Sequence, residues 1–169
     1  MAIYPIRTFG DPVLRMPTKE VDDIDFALRT LVEDMLETMY VAPGVGLAAN
    51  QIGVSRRVAV FDPQDELGPR VMINPVLIET SGEWEYEEGC LSVPGRFWPI
   101  VRPAFARVRA LDLEGREVEH AGDGLLGRVL QHEIDHLDGG LLLDQLPRRV
   151  RKRALKEIRE ESMGLSRPR

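Results

Sequence analysis

The sequence predicts an α+β fold in which antiparallel strands pack around a central helix. Helical spacing of apolar residues occurs near the start and toward the end of the chain. The β-rich segments lie together between these regions and do not alternate with helices. At 169 residues the chain is long enough for one well-buried core, so we expect a single domain over residues 1–169.

The first predicted element is an N-terminal amphipathic helix over residues 24–39, where apolar residues recur every three or four positions. Pro43 and Gly44 should end it. The strands follow: we expect them at 56–62, 70–79 and 83–93, and as a pair joined by a turn at Glu114-Gly115 within 105–120.

The central helix should begin after Asp123 as its N-cap and continue to about Leu137, before the pair Gly139-Gly140. At about 100° per residue, His132 and His136 lie at one edge of an apolar arc. The polar positions fall on the other side of the helix: Arg128, Gln131, Asp135 and Asp138.

Composition limits the class of protein. The chain is 43% hydrophobic and 30% charged, as is usual for a globular protein in water. It contains no apolar run of the roughly 18 residues that a membrane span requires, and its first residues lack the features of a signal peptide. A single cysteine, Cys90, excludes an internal disulfide. We therefore expect a cytoplasmic protein with no membrane partner.

Two of the three histidines, His132 and His136, flank Glu133 in an H-E-x-x-H pattern. On a helix the two imidazoles lie one turn apart and can converge on one metal ion, while Glu133 can reach a water molecule beside it. Such a site needs a third ligand. Cys90 is favoured modestly over Glu157, because a thiolate suits a soft or borderline ion and because basic neighbours compete for the Glu157 carboxylate.

His120 is also available as a ligand, but a solvent-facing position at the end of a strand is the simpler interpretation. The stretch from Gly44 through Gly46 to Ala49 matches a variant of the dinucleotide-binding fingerprint. That fingerprint requires a strand before it and a helix after it, and here the predicted order is reversed. We therefore expect no dinucleotide cofactor.

Three segments, GVGLAANQ at 44–51, EGCLS at 88–92 and QHEIDH at 131–136, resemble in this order the motifs of the peptide deformylases. The resemblance extends from the N-terminal segment to at least Leu146. It implies one metal ion per chain, usually Fe²⁺, held by Cys90, His132 and His136, with Ni²⁺, Co²⁺ or Zn²⁺ able to substitute. It also implies hydrolysis of the N-formyl group from the formylmethionine of new polypeptides, releasing formate.

The resemblance implies roles for further residues. Glu133 would act as general base and then general acid, while the Gln51 amide and the backbone N–H of Leu91 would stabilise the oxyanion. The methionine pocket would be lined by Leu125, Val129, Val45, Gly46 and Tyr86. Arg128 and the aromatic pair Phe97-Trp98 depart from the family pattern near this pocket, which leaves the fine specificity open.

A basic segment at 147–169, with a predicted helix from Arg148 to Ser162, contains nine Lys/Arg and three Glu in a chain of net charge −6. A solvated charged face is the common meaning of such a run. In the deformylase interpretation it could instead contact the ribosome, since clustered basic side chains bind phosphates.

Two other functions stay open at this stage. One is a metalloprotease with Glu157 as third ligand, and the other is an RNA-binding module with a structural metal.

Overall fold

The computed structural model describes residues 2–165 and confirms the α+β class, with three α-helices and two antiparallel sheets. The helices are α1 (Phe26–Val41), α2 (Gly124–Leu137) and α3 (Arg148–Ser162). The strands are β1 (Gly46–Ala48), β2 (Val58–Phe61), β3 (Arg70–Ser81), β4 (Trp84–Cys90), β5 (Val93–Arg102), β6 (Phe105–Leu111) and β7 (Glu117–Gly122). Short 3₁₀ helices occupy Pro12–Arg15, Ala49–Ile52 and Leu142–Gln145.

Helix α1 begins two residues later than predicted because Asp25 is its N-cap. The Asp25 carboxylate accepts a hydrogen bond of 2.7 Å from the backbone N–H of Leu28, which satisfies one of the free donors of the first turn. The helix ends at Val41, just before Pro43, as the sequence indicates.

The larger sheet has the strand order β1-β2-β3-β6-β7, and β4 pairs with β5 in a separate two-stranded sheet. Strands β1 and β5 were not predicted from the sequence. Strand β1 is only three residues long, and β5 contains Pro94, Gly95 and Pro99, which are unfavourable in a central strand. Because β5 has a partner on one side only, its prolines need not donate to a neighbouring strand.

Helix α2 packs its apolar arc against the larger sheet, where Leu130 and Ile134 join a cluster with Phe61 and Met72. The predicted polar side is not exposed throughout, because Arg128 and Gln131 are only 3% and 6% exposed.

Backbone carbonyl groups outside the larger sheet cover this side of α2. Arg128 donates to the carbonyl oxygens of Trp84 and Ile100, and Gln131 donates to that of Pro103. Helix α2 is therefore enclosed on two sides, which sequence periodicity could not indicate.

His120 is not the solvent-facing residue that the sequence suggested. It is partly buried on β7, and its ring meets Phe61 edge to face at a centroid distance of 5.1 Å. Burial lowers the pKa of His120, and the nearby Arg70 adds to the effect. His120 lies outside the group of possible metal ligands described below.

Helix α3 has the predicted bounds and packs on the body through Ala154, with Leu155 and Ile158 beside it, whereas Val150 is exposed. Residues 166–169 of the predicted basic segment lie outside the described residues. Within residues 2–165, none of the helices combines the length and the apolar character that crossing a bilayer requires.

Candidate metal centre

The site is formed where the end of β4 meets α2. Cys90 is the last residue of β4, and His132 and His136 lie one turn apart on α2. The Cys90 Sγ is 3.2 Å from Nε2 of His136, which is 3.1 Å from Nε2 of His132. The three donor atoms all lie within 4.8 Å of one another.

These residues fit a metal ion in both chemistry and spacing. Metal–nitrogen and metal–sulfur bonds of about 2.0 and 2.3 Å in a tetrahedral site place neighbouring donors roughly 3.3–3.6 Å apart, slightly wider than the 3.1 and 3.2 Å separations from His136 Nε2. Thiolate and imidazole donors suit transition metals. Glu157 lies outside this group and accepts hydrogen bonds from Arg96 and Arg153, so the geometry favours Cys90 as the third ligand.

The surroundings of Cys90 favour the thiolate. Burial by itself would raise the pKa of the thiol, but the two histidines outweigh this and hold the pKa well below its ordinary value. The sulfur is also 3.4 Å from the backbone N–H of Ser92.

Glu88 is a buried carboxylate at this site for which the sequence patterns predicted no role. Its Oε1 lies 2.6 Å from Nδ1 of His132, so the carboxylate can accept a hydrogen bond from Nδ1–H and leave Nε2 free for a metal. Arg102 donates to both Glu88 oxygens, at 3.0 and 2.8 Å, and Arg128 donates to one of them at 3.1 Å.

This network keeps Glu88 ionised. Burial would raise its pKa, but His132 and Arg102 lower it to about 2. A signal for Glu88 existed in the sequence, since it belongs to the segment EGCLS and lies two residues before Cys90.

Glu133 lies in a pocket that disfavours its charge. Its side chain is nearly inaccessible, its Oε2 has no hydrogen-bond partner, and burial raises its pKa to about 7. The backbone of Gly46 approaches it so closely that a Cβ at that position would lie 2.3 Å from Oε1. Only glycine fits there without displacing the carboxylate.

Gln51 lies in the 3₁₀ helix after β1 and is 1% exposed. Its Oε1 accepts a hydrogen bond from the backbone N–H of Ala48 at 2.9 Å. Its Nε2 donates to Ser92 Oγ at 3.1 Å and lies 3.8 Å from Cys90 Sγ. The amide NH₂ is thereby held next to the possible metal ligands.

A cavity of about 450 Å³ opens beside these groups. Leu91 lines this cavity. So do all the residues predicted for the methionine pocket, namely Val45, Gly46, Tyr86, Leu125 and Val129. Arg128 and Phe97 line it as well. Separate parts of the chain therefore border one space next to Glu133.

Comparisons with known proteins agree with this arrangement. The family model described as polypeptide deformylase matches residues 3–152. The chain is 49% identical over 145 residues to a peptide deformylase of Clostridium botulinum, covering 86% of this chain and 97% of the relative. It is 45% identical over 168 residues to a peptide deformylase of Pseudomonas aeruginosa, covering 96% of this chain and 100% of the relative.

Solved structures are similar throughout. A peptide deformylase from Legionella pneumophila superposes with a TM-score of 0.89 at 44% identity, covering 99% of this chain and 100% of the other. A peptide deformylase from Ehrlichia chaffeensis in complex with actinonin superposes with a TM-score of 0.90 at 40% identity, covering 95% of this chain and 98% of the other. The predicted resemblance and hydrolase class are confirmed, and the deformylase interpretation is favoured over the protease and RNA-binding alternatives. The chain belongs to the polypeptide deformylase family.

Proposed function

We propose that this chain uses Cys90, His132 and His136 to hold one Fe²⁺ ion and hydrolyses the N-formyl group of formylmethionyl nascent peptides. The observation that carries the proposal is the buried, unpartnered carboxylate of Glu133 beside three converging ligand atoms. When bound, the ion supplies Lewis-acid activation of water, lowering its pKa to about 7. Ni²⁺, Co²⁺ or Zn²⁺ could take its place.

Glu133 is suited to move the proton. A carboxylate with a pKa of about 7 can accept a proton from the attacking water near neutral pH and still return it to the leaving amine. Because Glu133 is adjacent to His132 on α2, proton transfer would occur beside the reacting carbon. The products are formate and a free N-terminus.

Two hydrogen-bond donors are proposed for the oxyanion of the tetrahedral intermediate: the Gln51 side-chain amide and the backbone N–H of Leu91. The hydrogen bond that Gln51 accepts from Ala48 and the one that it donates to Ser92 fix the amide before the substrate arrives. Donors held in advance lower the barrier because they need little reorganisation as charge develops.

The substrate side chain would occupy the cavity between Val45, Gly46, Tyr86, Leu125 and Val129. An unbranched methionine suits a mainly apolar pocket, since its thioether chain adapts to irregular walls. This assignment supports formylmethionyl peptides as the substrate class. Action in the cytoplasm follows from the proposed substrate, a newly synthesised polypeptide.

A contact between α3 and the ribosome is a separate part of the proposal. The basic side chains of α3 include Arg148, Arg149 and Lys152, all of which are exposed. Clustered exposed cations gain affinity for phosphates through counterion release. Removal of residues 148–169 should therefore weaken binding to ribosomes, whereas unchanged binding would remove this part of the proposal.

The experiment that tests the reaction is formate release from an N-formylmethionyl peptide by anaerobically purified, Fe²⁺-loaded protein, with the N-acetyl peptide as control. Glu133→Gln should retain metal and lose turnover, while Cys90→Ser should lose metal or activity. Turnover by Glu133→Gln at the rate of the unsubstituted protein would contradict the proposed proton transfer. Absence of formate release from the metal-loaded protein would contradict the function itself.

A further inference from the structure

Asn50 is a buried amide beside the metal centre that the proposed reaction does not use. It lies in the 3₁₀ helix Ala49–Ile52, directly before Gln51, and is 1% exposed. It does not line the cavity, so it is not placed to contact a substrate. Buried polar side chains normally have hydrogen-bond partners, and the partner of Asn50 indicates what the residue does.

The Asn50 side chain connects the segment that carries Gln51 to the helix that carries the two histidines. Its Nδ2 donates a hydrogen bond to the backbone carbonyl oxygen of His136, which lies 86 positions away in the sequence. Within residues 2–165, this is the hydrogen bond that joins the 3₁₀ helix directly to α2. Gln51 and His136 are thereby linked, although they come from distant parts of the chain.

The other polar atom of the Asn50 amide is unpaired among the described residues. Its Oδ1 is buried and has no hydrogen-bond partner there, and the same is true of Nδ1 of His136. With Nε2 of His136 bound to a metal, Nδ1 carries the proton and is a donor. An acceptor and a donor without partners therefore belong to two residues that are already hydrogen-bonded to each other. A buried water molecule is the usual partner of such groups.

The stability of the fold does not explain an amide at position 50. A buried polar atom without a protein partner is unfavourable for folding, and an apolar side chain of similar shape avoids that cost. The carbonyl group of His136 does not depend on Asn50 either, because it also accepts a hydrogen bond from the backbone N–H of Gly139 at 3.0 Å. The amide is therefore better explained by the residues that it connects.

We propose that Asn50 is a positioning residue, which holds His136 and Gln51 in a fixed relation to each other within the metal centre. This inference rests on the proposed function, since that function assigns roles to both residues. Glu88 has the corresponding task for His132, which it holds through Nδ1. Asn50 holds the second histidine through its main chain and connects it to the proposed oxyanion donor.

The test compares Asn50→Leu and Asn50→Ala with the unsubstituted protein. Competition with a chelator measures the affinity for Co²⁺, and the absorption spectrum of the Co²⁺ form reports the geometry of the ligands. Both variants should bind Co²⁺ about tenfold more weakly, the lower end of the range for residues that orient metal-binding histidines, and their absorption bands should shift. The kcat for an N-formylmethionyl peptide should fall about tenfold with KM unchanged, because the Gln51 amide is proposed to act on the transition state.

The matched control is Asn74→Ala. Asn74 lies on β3, does not line the cavity, and also bonds to the main chain through its amide. Its Nδ2 donates to the carbonyl oxygen of Val21 at 2.9 Å, and its Oδ1 accepts from the N–H of Val21 at 2.8 Å. Loss of these bonds should lower the free energy of unfolding and leave the Co²⁺ affinity, the absorption spectrum and kcat unchanged.

Three results would overturn the proposal. The first is that both Asn50 variants match the unsubstituted protein in Co²⁺ affinity, spectrum and kcat. The second is an equal loss of these properties in Asn74→Ala, which would mean general destabilisation. The third is that Asn50→Leu behaves normally while Asn50→Ala does not, because position 50 would then only fill space.

The two Asn50 variants and the two kinds of readout keep this inference separate from the reaction itself. If Asn50→Ala fails to fold, Asn50→Leu decides the question, since leucine leaves no empty space. If the unsubstituted protein binds Co²⁺ and releases no formate from any peptide, the deformylase reaction is rejected. The Co²⁺ affinity and spectrum of the variants would still decide whether Asn50 positions His136.

Discussion

Replacing Glu88 by Gln tests whether the buried charge network supports both stability and the metal centre. Glu88 is 4% exposed, and its carboxylate is shared by Arg102, Arg128 and His132. The amide of glutamine carries no charge, and its NH₂ group would face a guanidinium. The buried guanidinium groups of Arg102 and Arg128 would then lose their common anionic partner.

The expected cost follows from these contacts. Removing one partner from a buried ion pair typically costs about 3–5 kcal/mol. Arg102 keeps a second partner in Asp135, at 2.6 Å, so the lower end of that range, about 3 kcal/mol, is expected. For a chain of this size the midpoint temperature should fall by about 6–12 °C.

The same substitution should weaken the metal centre. The Glu88 carboxylate fixes the orientation and the tautomer of His132, and losing such a partner typically lowers metal affinity about 10- to 100-fold. Urea unfolding of metal-free protein isolates the stability effect, and competition with a chelator measures the affinity.

The matched control is Glu79→Gln, which breaks an exposed contact with Arg107 and should leave the free energy of unfolding nearly unchanged because water screens that pair. If the free energy of unfolding of Glu88→Gln lies within about 1 kcal/mol of that of the unsubstituted protein, and the variant binds metal equally well, the network does not have the role assigned to it.

Three further predictions concern other parts of the molecule. Gly46→Ala should lower kcat at least about tenfold, because the added Cβ would displace the Glu133 carboxylate, and an unchanged kcat would show that the loop can move aside. Burial lowers the pKa of His120 below 6.5, so protonation of its imidazole opposes folding, and the free energy of unfolding should fall as pH drops below that value. The fall should be smaller in His120→Gln. Identical slopes of unfolding free energy against pH in the two proteins would refute this. Removing the metal with a chelator should lower the midpoint temperature of unfolding. The loss corresponds to about 2.7 kcal/mol if the free metal concentration had been 100 times its Kd. A midpoint temperature that does not depend on metal concentration would argue against a site present only in the folded state.

Local patterns in the sequence determined much of this protein. The spacing of apolar residues located α1, α2 and α3 within a few residues, because helix periodicity and caps are properties of neighbouring positions. The pair His132 and His136 was recognisable for the same reason, since one helical turn brings them together without any distant contact.

Cys90 could be favoured over Glu157 only modestly from residue chemistry, because it lies 46 positions from His136 and sequence spacing does not report such a contact. The family motifs strengthened that assignment, and the tertiary structure brings its sulfur to the imidazoles. Strand β5 was missed because its prolines and glycine disfavour a strand locally, whereas pairing with β4 stabilises one.

Only the tertiary structure decided which polar side chains of α2 are buried. Arg128 lies on the side that the helical pattern marks as polar, yet it is almost completely enclosed and pairs with Glu88 across 40 positions of sequence. Helix periodicity distinguishes an apolar face from a polar one. Whether the side chains of either face are buried depends on which other parts of the chain pack against that face. The charge network behind the metal ligands exists because β4 and β5 cover the second side of α2, and no local property of the sequence contains that contact.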